Sequence, residues 1–190
     1  MGESGGPSRP AAGAETPAVT SVILALGSNL GDRRAHLRRG LRGLEPQVLL
    51  EATSRLVESA PWGPVADQPD FLNLVVRART RLNPGQLLEL IRQVEAAEGR
   101  TRATPQGPRT LDIDIVFFGD SRVHSPTLRI PHPRWRDRSF VARLVPDVAG
   151  VMIDPESGRP LADLATAAPL PSDLTEVVPL RLESGARGLP

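Results

Sequence analysis

The sequence predicts a two-layer α+β sandwich, in which an antiparallel sheet carries helices on one face. Two observations predict this fold class. Apolar residues recur with a strand-like or a helix-like period in separate segments, and these segments follow the order strand, helix, strand, strand, helix, strand. The 190 residues suffice for one domain of about 140 residues with tails. The second face of such a sheet is then free to carry a functional site.

The first half of the chain contains a strand, a helix and two further strands. Residues 22–26 are a short apolar run typical of a buried strand, and Asp32 is placed to cap the helix that follows. Residues 48–57 form the second predicted strand. Residues 59–69 follow as a proline-rich loop, and residues 71–81 form a third strand.

The third predicted strand alternates clearly between two sets of side chains, which a strand places on opposite faces. One face carries Leu72, Leu74, Val76 and Ala78. The other face carries Phe71, Asn73, Arg77 and Arg79. The apolar set is therefore expected to lie under the helices, and the mixed set faces away from them.

The second half of the chain continues the pattern. A helix is predicted over residues 84–98, with Asn83 as its cap and Gly99 beyond its end. Residues 111–118 form the last predicted strand. Residues 131–144 begin as a turn and become a short helix.

The two ends of the chain differ from the middle in composition. Residues 1–18 are Gly, Pro, Ala, Ser and Glu with almost nothing to bury, which predicts a disordered tail. Residues 166–190 are similar and are expected to form a flexible C-terminal tail. The predicted folded domain therefore spans residues 19–165.

Composition excludes several classes of function. The net charge of +1 argues against a general polyanion-binding protein. All 23 basic residues are Arg, which excludes lysine Schiff-base chemistry and a P-loop ending in Gly-Lys-Ser/Thr. The absence of cysteine excludes a disulfide framework and a thiolate metal site. No apolar run approaches the roughly 20 residues of a membrane span, and the N-terminus lacks the pattern of a secretory signal. These features fit a cytoplasmic enzyme.

Two aspartates on one predicted strand give the strongest local signal. Asp112 and Asp114 are two residues apart, so both point to one face. The other face is expected to carry Leu111, Ile113, Ile115 and Phe117. Paired carboxylates suit Mg²⁺, which takes one or two carboxylates together with substrate phosphates. The alternative is a solvated strand edge with two acids of no special role.

Arginines surround this aspartate pair in the sequence. Residues 100–143 contain nine arginines against four acidic residues. Arginines beside a metal-binding acid pair are what a metal-bound polyphosphate requires, because they neutralise its charge. The alternative interpretation is a set of solvated arginines on loops, and it applies best to Arg122, Arg129, Arg134, Arg136 and Arg143.

Aromatic residues add a third signal, because they make up only 3% of the chain. Phe71 and Asn73 share a strand face, so a flat heteroaromatic ring could stack on Phe71 while the amide of Asn73 binds its edge. Trp62 lies in the preceding loop. The alternative is an ordinary proline-rich connection. The turn at residues 27–29 either offers backbone N–H groups to an anion or simply joins a strand to a helix.

Taken in order, these motifs resemble the 6-hydroxymethyl-7,8-dihydropterin pyrophosphokinase family of folate biosynthesis. The resemblance runs from about residue 22 to residue 164 and is most specific in the Gly-Pro-Arg-x-x-Asp-x-Asp run at residues 107–114. It also includes the Leu-Gly-Ser-Asn-Leu-Gly opening at residues 26–31, the Gln-Pro-Asp-Phe-Leu-Asn run at residues 68–73, and Pro-His-Pro at residues 131–133. The family implies a ferredoxin-like sandwich, which agrees with the predicted order of elements.

The resemblance also implies an activity and a site. The activity is transfer of pyrophosphate from ATP to the pterin hydroxymethyl group, which leaves AMP. Two Mg²⁺ ions would be held by Asp112 and Asp114, which together with Arg100 and Arg109 form the implied catalytic set. The implied ATP-binding residues are Arg100, Arg102, Arg109, Ile115, His132 and Arg138. The implied pterin-binding residues are Ser59, Trp62, Phe71, Asn73 and Phe140. Glu95 would support the arginine loop.

The implied partners are therefore small molecules, the pterin and ATP. The resemblance implies no nucleic acid or membrane partner, and it implies that the enzyme is a monomer. An RNA-recognition domain is the main rival, because the same order of elements can stack bases on strand aromatics. The acid pair argues against it, since Asp112 and Asp114 would repel a phosphate backbone. The sequence departs from the family most in one loop, where Gln106 replaces a usual Trp and one residue is missing between Arg100 and Gly107. Pro133 also stands where the family often has an aromatic, while Ser59 and Phe71 replace a common Thr and Tyr and keep the hydroxyl and the ring.

Overall fold

The computed structural model describes residues 18–61, 65, 67–100, 107–166, 174–178 and 180. Trp62 and Arg102, which the resemblance places in the pterin and ATP sites, lie outside the described residues, as does the stretch 1–17 of the predicted N-terminal tail.

The described part of the chain follows the predicted order of elements, contains a helix at the end of the predicted turn-and-helix segment 131–144, and adds five short elements. The strands and helices are β1 (Thr20–Ser28), α1 (Arg33–Leu44), β2 (Val48–Thr53), β3 (Leu56–Ser59), β4 (Phe71–Thr80), α2 (Pro84–Ala97), β5 (Asp112–Phe118), β6 (Val123–His124), β7 (Arg129–Ile130), α3 (Ser139–Val148), α4 (Leu161–Thr166) and β8 (Thr175–Val177). Within these ranges no helix has the length and apolar character needed to cross a membrane.

One antiparallel sheet organises the fold, as predicted. Its strand order is β5-β1-β4-β3-β8, and β2 pairs with β4 beside β3. Strand β4 is ten residues long, so it pairs with β1 along one edge and with β2 and β3 along the other. A separate two-stranded sheet joins β6 to β7.

Helices α1 and α2 cover one face of the sheet. Both begin at the predicted caps: the Asp32 side chain accepts from the Ala35 N–H, and Asn83 forms a reciprocal capping pair with Gln86. The core on this face includes Leu24, Leu26, Leu37, Leu41, Leu72, Leu74, Val76, Leu87 and Ile91. The predicted alternation of β4 is therefore confirmed on its apolar side.

Helix α3 lies on the opposite face, so the helices do not all share one face. It buries Val141 and Val145 against Ile23 and Val75. The middle of the second face carries the apolar residues Ile23, Val75 and Val116, which need a cover. The end of this face near Gly27 stays open.

The predicted strand over residues 48–57 is divided into two. Ser54 lies at the break, where its backbone N–H donates to the Val75 carbonyl at 2.8 Å and its hydroxyl accepts from the Val75 N–H at 2.9 Å. A side chain thus replaces the backbone partner and interrupts the ladder. The short strand β3 that follows is consequently set apart from β2.

The last part of β5 also differs from the prediction. The register with β1 shifts between Ile23 and Leu24, which pair with Phe117 and Ile115. This bulge reverses the alternation, so Phe117 lies on the α3 face and not beside Ile115. The placement of Phe117 was therefore wrong, because a bulge leaves no mark in a continuous apolar run.

The expected C-terminal tail contains a strand. Residues Thr175–Val177 pair with β3 in antiparallel register, and Leu180 is buried against the core under α1 and α2. Arg34 also donates to the Val178 carbonyl at 3.0 Å. This segment extends the sheet beyond the predicted domain boundary at residue 165.

Glycine in α1 allows close packing against β5. A Cβ atom added at Gly40 would stand 2.8 Å from Cδ2 of the fully buried Leu111. We expect Gly40→Ala to lower the free energy of unfolding by about 1 kcal/mol, because overpacking outweighs the gain in helix propensity. Gly85→Ala is the matched control, since Gly85 is exposed and its added Cβ would meet nothing closer than 3.4 Å. Urea unfolding of both variants checks this, and a Gly40→Ala protein as stable as wild type contradicts it.

Glu98, just after α2, joins the two helices on the first face. Its carboxylate accepts from Arg39 at 2.9 Å and lies 2.6 Å from Nδ1 of His36, both on α1. The hydrogen bond from Arg39 lowers the pKa of Glu98, burial opposes this shift, and His36 adds to it. The ionised form is therefore stabilised by folding.

This lowered pKa predicts an acid-dependent contribution to stability. The contribution is complete above the unfolded pKa of about 4.5 and is lost as the pH falls through the lower folded value. We expect Glu98→Gln to lower the free energy of unfolding by about 1 kcal/mol above pH 5. The difference from wild type should shrink below pH 4.5, as measured by denaturant unfolding across pH. A difference that grows toward acid pH contradicts the assignment.

Candidate active site

A cavity of about 200 Å³ opens at the uncovered end of the second sheet face. Strands β1, β3, β4 and β5 form its floor, and the start of α3 forms one wall. Eight of the predicted site residues line it, namely Ser59, Phe71, Asn73, Arg109, Asp112, Asp114, Arg138 and Phe140. Residues that lie far apart in the sequence therefore meet in one place.

The strand register explains this convergence. Gly27 on β1 pairs with Asn73 on β4 and with Asp112 on β5. Asn73 and Asp112 therefore flank the glycine, about 10 Å apart across two strand spacings. A Cβ atom at Gly27 would stand 2.8 Å from Oδ1 of Asn73. Only glycine keeps the floor of the cavity open between the amide and the carboxylates.

The two aspartates are held by three arginines. Arg109 binds Asp112 at 2.7 Å, and Arg100 approaches the other oxygen of the same carboxylate at 2.6 Å. Arg138 forms a short ion pair with Asp114. Each carboxylate thus has a guanidinium partner, and the predicted meeting of acids and arginines is present in the fold.

The environments of the two aspartates shift their pKa values in opposite directions. Burial raises the pKa of Asp112, and the neighbouring Asp114 raises it further against the opposing charges of the arginines. Burial acts in the same sense on Asp114, but Arg138, His132 and Arg100 together hold the pKa of Asp114 below its usual value. The two carboxylates therefore repel each other, and a cation bound between them would be stabilised.

Glu95 on α2 connects this cluster to the helix layer. It is a buried acid that forms a short ion pair with Arg100, and it accepts from the Ile113 N–H at 2.9 Å. The same arginine thus bridges Glu95 and Asp112. A buried carboxylate with two such partners fixes the arginine relative to β5.

The opposite end of the cavity is suited to a flat ring with polar edges. Phe71 and Phe140 both line it, and the guanidinium carbon of Arg109 lies 5.8 Å from the centre of the Phe71 ring. Asn73 is buried and donates to the Ser59 hydroxyl at 2.8 Å. The amide oxygen of Asn73 and the hydroxyl hydrogen of Ser59 remain to pair with a ligand.

A second cavity of about 290 Å³ adjoins the first and shares Asp114 with it. Ile115 and His132 line this cavity. Burial lowers the pKa of His132, Asp114 opposes the shift and Arg138 supports it, so the ring is neutral at pH 7. Because Nδ1 accepts from the Arg134 N–H at 3.2 Å, the proton lies on Nε2 and can be donated to an anion.

Asn29 has a structural role at the site that the sequence did not reveal. Its side chain accepts from the Arg109 N–H at 2.7 Å and donates to the Pro69 carbonyl at 3.1 Å. Its own N–H donates to the Arg109 carbonyl, so this group is not offered to an anion. Asn29 thereby ties the segment bearing Arg109 to the loop before Phe71.

Arg134 is a second residue that sequence reasoning missed, because it was interpreted as one of the solvated loop arginines. It lines the first cavity together with Arg109 and Arg138. Spacing could have indicated it, since Arg134 and Arg138 are one helical turn apart and the Arg138 N–H donates to the Arg134 carbonyl at 3.1 Å.

The donor set suits Mg²⁺ on chemical grounds. Asp112 and Asp114 offer hard oxygen ligands on one strand face, and among the described residues no larger group of acids, histidines or cysteines surrounds them. Two carboxylates leave most positions of an octahedral ion for water and phosphate oxygens. The residues therefore fit an ion that binds together with a polyphosphate.

The chain matches relatives of known name over most of its length. The model of the family described as 7,8-dihydro-6-hydroxymethylpterin-pyrophosphokinase matches residues 23–150. A 2-amino-4-hydroxy-6-hydroxymethyldihydropteridine pyrophosphokinase of Pseudomonas aeruginosa is 40% identical over 80% of this chain and 93% of its own. A mitochondrial folate synthesis bifunctional protein of Arabidopsis thaliana is 42% identical over 70% of this chain. The match covers 24% of that longer protein.

A solved structure supports the fold. A crystal structure titled as Plasmodium falciparum HPPK-DHPS matches with a TM-score of 0.64 at 16% identity, over 80% of this chain and 45% of that one. At this identity the likeness concerns the ferredoxin-like architecture alone. The sequence matches go further, because they extend over the strands and loops that build the cavity. The chain therefore belongs to the 7,8-dihydro-6-hydroxymethylpterin-pyrophosphokinase family, and it is a pyrophosphokinase.

Proposed function

We propose that this enzyme transfers pyrophosphate from ATP to the hydroxymethyl oxygen of 6-hydroxymethyl-7,8-dihydropterin, in a Mg²⁺-dependent step of tetrahydrofolate biosynthesis. A bond forms between the hydroxymethyl oxygen and the β-phosphorus, and the bond from that phosphorus to the α-phosphate oxygen breaks. The hydroxyl proton passes to water, AMP leaves, and the pterin pyrophosphate is the second product.

One observation carries the proposal. A single cavity joins a ring-binding end, with Phe71 and Asn73, to a polyphosphate-binding end, with Asp112 and Asp114 among arginines. An acceptor alcohol attached to a flat ring would lie with its ring at one end and its oxygen toward the other. Such positioning is the main requirement of phosphoryl transfer, which needs no covalent nucleophile.

The phosphate-binding groups would bind and neutralise the ATP chain. Arg109 and Arg138 present guanidinium groups to the cavity, and each now pairs with an aspartate. Arg100 lies beside Asp112, and His132 can donate from Nε2 in the adjoining cavity. When phosphate oxygens enter, these donors exchange a carboxylate partner for a phosphate partner of the same charge type. Arg102 and Ile115 are proposed as further ATP contacts by family resemblance.

Asp112 and Asp114 would hold Mg²⁺, with two ions expected from the resemblance. The chemistry that the metal supplies when bound is neutralisation of phosphate charge and a lower pKa for the attacking hydroxyl. The chain's own contribution is to keep Asp114 ionised through Arg138, so that a ligand oxygen is ready. No side chain is then required as a dedicated general base.

The pterin-binding groups would select a ring with a polar edge. Phe71 and Phe140 would contact its faces, and Asn73 and Ser59 would hydrogen-bond its edge. Trp62 is proposed to contribute by family resemblance. Because Asn73 is buried, a ring without a matching edge would leave its amide oxygen unpaired, which disfavours other aromatic alcohols.

We also propose that the enzyme acts as a cytoplasmic monomer on small molecules and not on nucleic acid or a membrane. The net charge of +1 supports the small-molecule part of this proposal, because a nearly neutral chain lacks the large basic excess of a general nucleic-acid-binding protein. The catalytic domain predicted at residues 19–165 contains the family match at residues 23–150, and we propose that it also includes strand β8, which extends its sheet.

Removal of one metal-binding carboxylate tests the proposed chemistry. We expect wild-type enzyme to form AMP from ATP only with the hydroxymethyl pterin and Mg²⁺ present. Asp114→Asn should lower kcat by at least about a thousandfold while unfolding at a similar urea concentration, because the metal loses a charged ligand. Asp120→Asn is the matched control, since Asp120 is exposed in the turn after the same strand. Pterin-independent AMP, or full activity in Asp114→Asn, would sink the proposal.

Loss of a stacking ring tests the pterin end separately. Phe71→Leu should raise KM for the pterin about tenfold, since a stacked ring contributes about 1.5 kcal/mol. KM for ATP should change much less, because Arg109, the phosphate-binding group beside the Phe71 ring, is held separately by its ion pair with Asp112. Phe71→Tyr keeps the ring and should resemble wild type. Steady-state kinetics with each substrate varied decides this, and a change confined to ATP contradicts the assignment.

A further inference from the structure

Asp154 is a buried carboxylate that the proposed function does not use. It lies in the loop between α3 and α4 and is completely buried. Three donors reach its side chain: Arg136 at 2.5 Å, the Ser157 hydroxyl at 2.7 Å and the Glu156 N–H at 3.0 Å. A buried carboxylate is costly unless it is paired, and Arg136 is its cationic partner.

Arg136 belongs to the turn that brings cations to the two cavities. Within residues 131–138, His132, Arg134 and Arg138 line a cavity. Trp135 instead packs in the core, with its ring centre 5.1 Å from that of Phe117. The guanidinium of Arg136 lies 4.5 Å over the Trp135 ring and reaches Asp154. Trp135 and Arg136 thus anchor the turn, and the other three residues serve the site.

The anchors are placed at intervals along this turn. Its beginning is bound to β5, because the His132 N–H donates to the Val116 carbonyl at 2.9 Å. Its end is Arg138, the residue before α3, where no side chain caps the helix. The ion pair of Arg136 with Asp154 lies two residues before Arg138. This ion pair therefore fixes the part of the turn that determines the position of the Arg138 backbone.

We propose that Asp154 is a positioning residue for the polyphosphate end of the active site: by holding Arg136, it fixes the end of the turn, from which the Arg138 side chain extends. This inference rests on the proposed function, in which Arg138 binds ATP. Arg138 reaches Asp114 through a long side chain, so a displacement of its backbone moves the guanidinium relative to β5. Misplacing a phosphate-binding group by about 1 Å can cost up to a hundredfold in rate.

Asp154→Asn isolates the charge of this residue. The amide is similar in size, and its oxygen can still accept from the Glu156 N–H. Its NH2 group then replaces the oxygen that Ser157 and Arg136 contact, so the side chain no longer attracts Arg136. We expect kcat/KM for ATP to fall about tenfold and ATP affinity, measured by calorimetry with Mg²⁺, to weaken by a similar factor. In an Arg138→Ala background the same substitution should change either quantity by less than about twofold, because the residue through which it acts is absent.

Two further variants make the test specific. Glu156→Gln is the matched control: Glu156 also approaches Arg136, at 3.4 Å, but it is exposed, and the variant should stay within about twofold of wild type. Arg136→Gln breaks the same pair from its half-exposed side and should reproduce the loss. If Asp154→Asn does not fold, Arg136→Gln is used in its place.

The outcomes separate a positioning role from a structural one. An equal loss in the wild-type and Arg138→Ala backgrounds would mean that Asp154 only stabilises the fold, and it would overturn the inference. A folded Asp154→Asn enzyme with wild-type kinetics and ATP affinity would overturn it too. If wild-type enzyme makes no pterin-dependent AMP, the proposed function fails, and the ATP affinities of the four variants still decide the inference.

Discussion

The repulsion between Asp112 and Asp114 is the constraint on which the site depends. Two carboxylates on one strand face are stable only if cations surround them, and three arginines from different segments do so here. Each arginine needs its own support: Arg100 is held by Glu95, and the segment bearing Arg109 is held by Asn29. The side chains around the aspartate pair are therefore positioned largely by ion pairs and hydrogen bonds.

The sheet converts this charge arrangement into a two-substrate site. Strand β1 lies between β4 and β5. The ring-binding residues on β4 and the phosphate-binding residues on β5 are therefore separated by β1, where Gly27 pairs with Asn73 and Asp112. Helix α3 covers the apolar part of the same face and ends the cavity with Phe140. The open end thus combines the polar groups with two aromatic rings, Phe71 and Phe140.

Local patterns predicted the elements well where one interaction dominates. The alternation in β4, the caps of α1 and α2, and the shared face of Asp112 and Asp114 follow from backbone geometry alone. Sequence patterns failed where a contact between residues distant in the sequence determines the local structure. The break at Ser54 needs Val75, the displaced Phe117 needs the bulge against β1, and α3 needs the apolar second face. Asn29 was missed because its partners, Arg109 and Pro69, lie in other loops.

Phosphorus NMR of the reaction mixture identifies the group that moves. With ATP, Mg²⁺ and the hydroxymethyl pterin, we expect equal amounts of AMP and a pterin carrying two linked phosphates. Formation of ADP with a pterin monophosphate would show that the cavity directs attack to the γ-phosphorus. That result would contradict the proposed placement of the alcohol between Asp112 and Asp114 and the arginines.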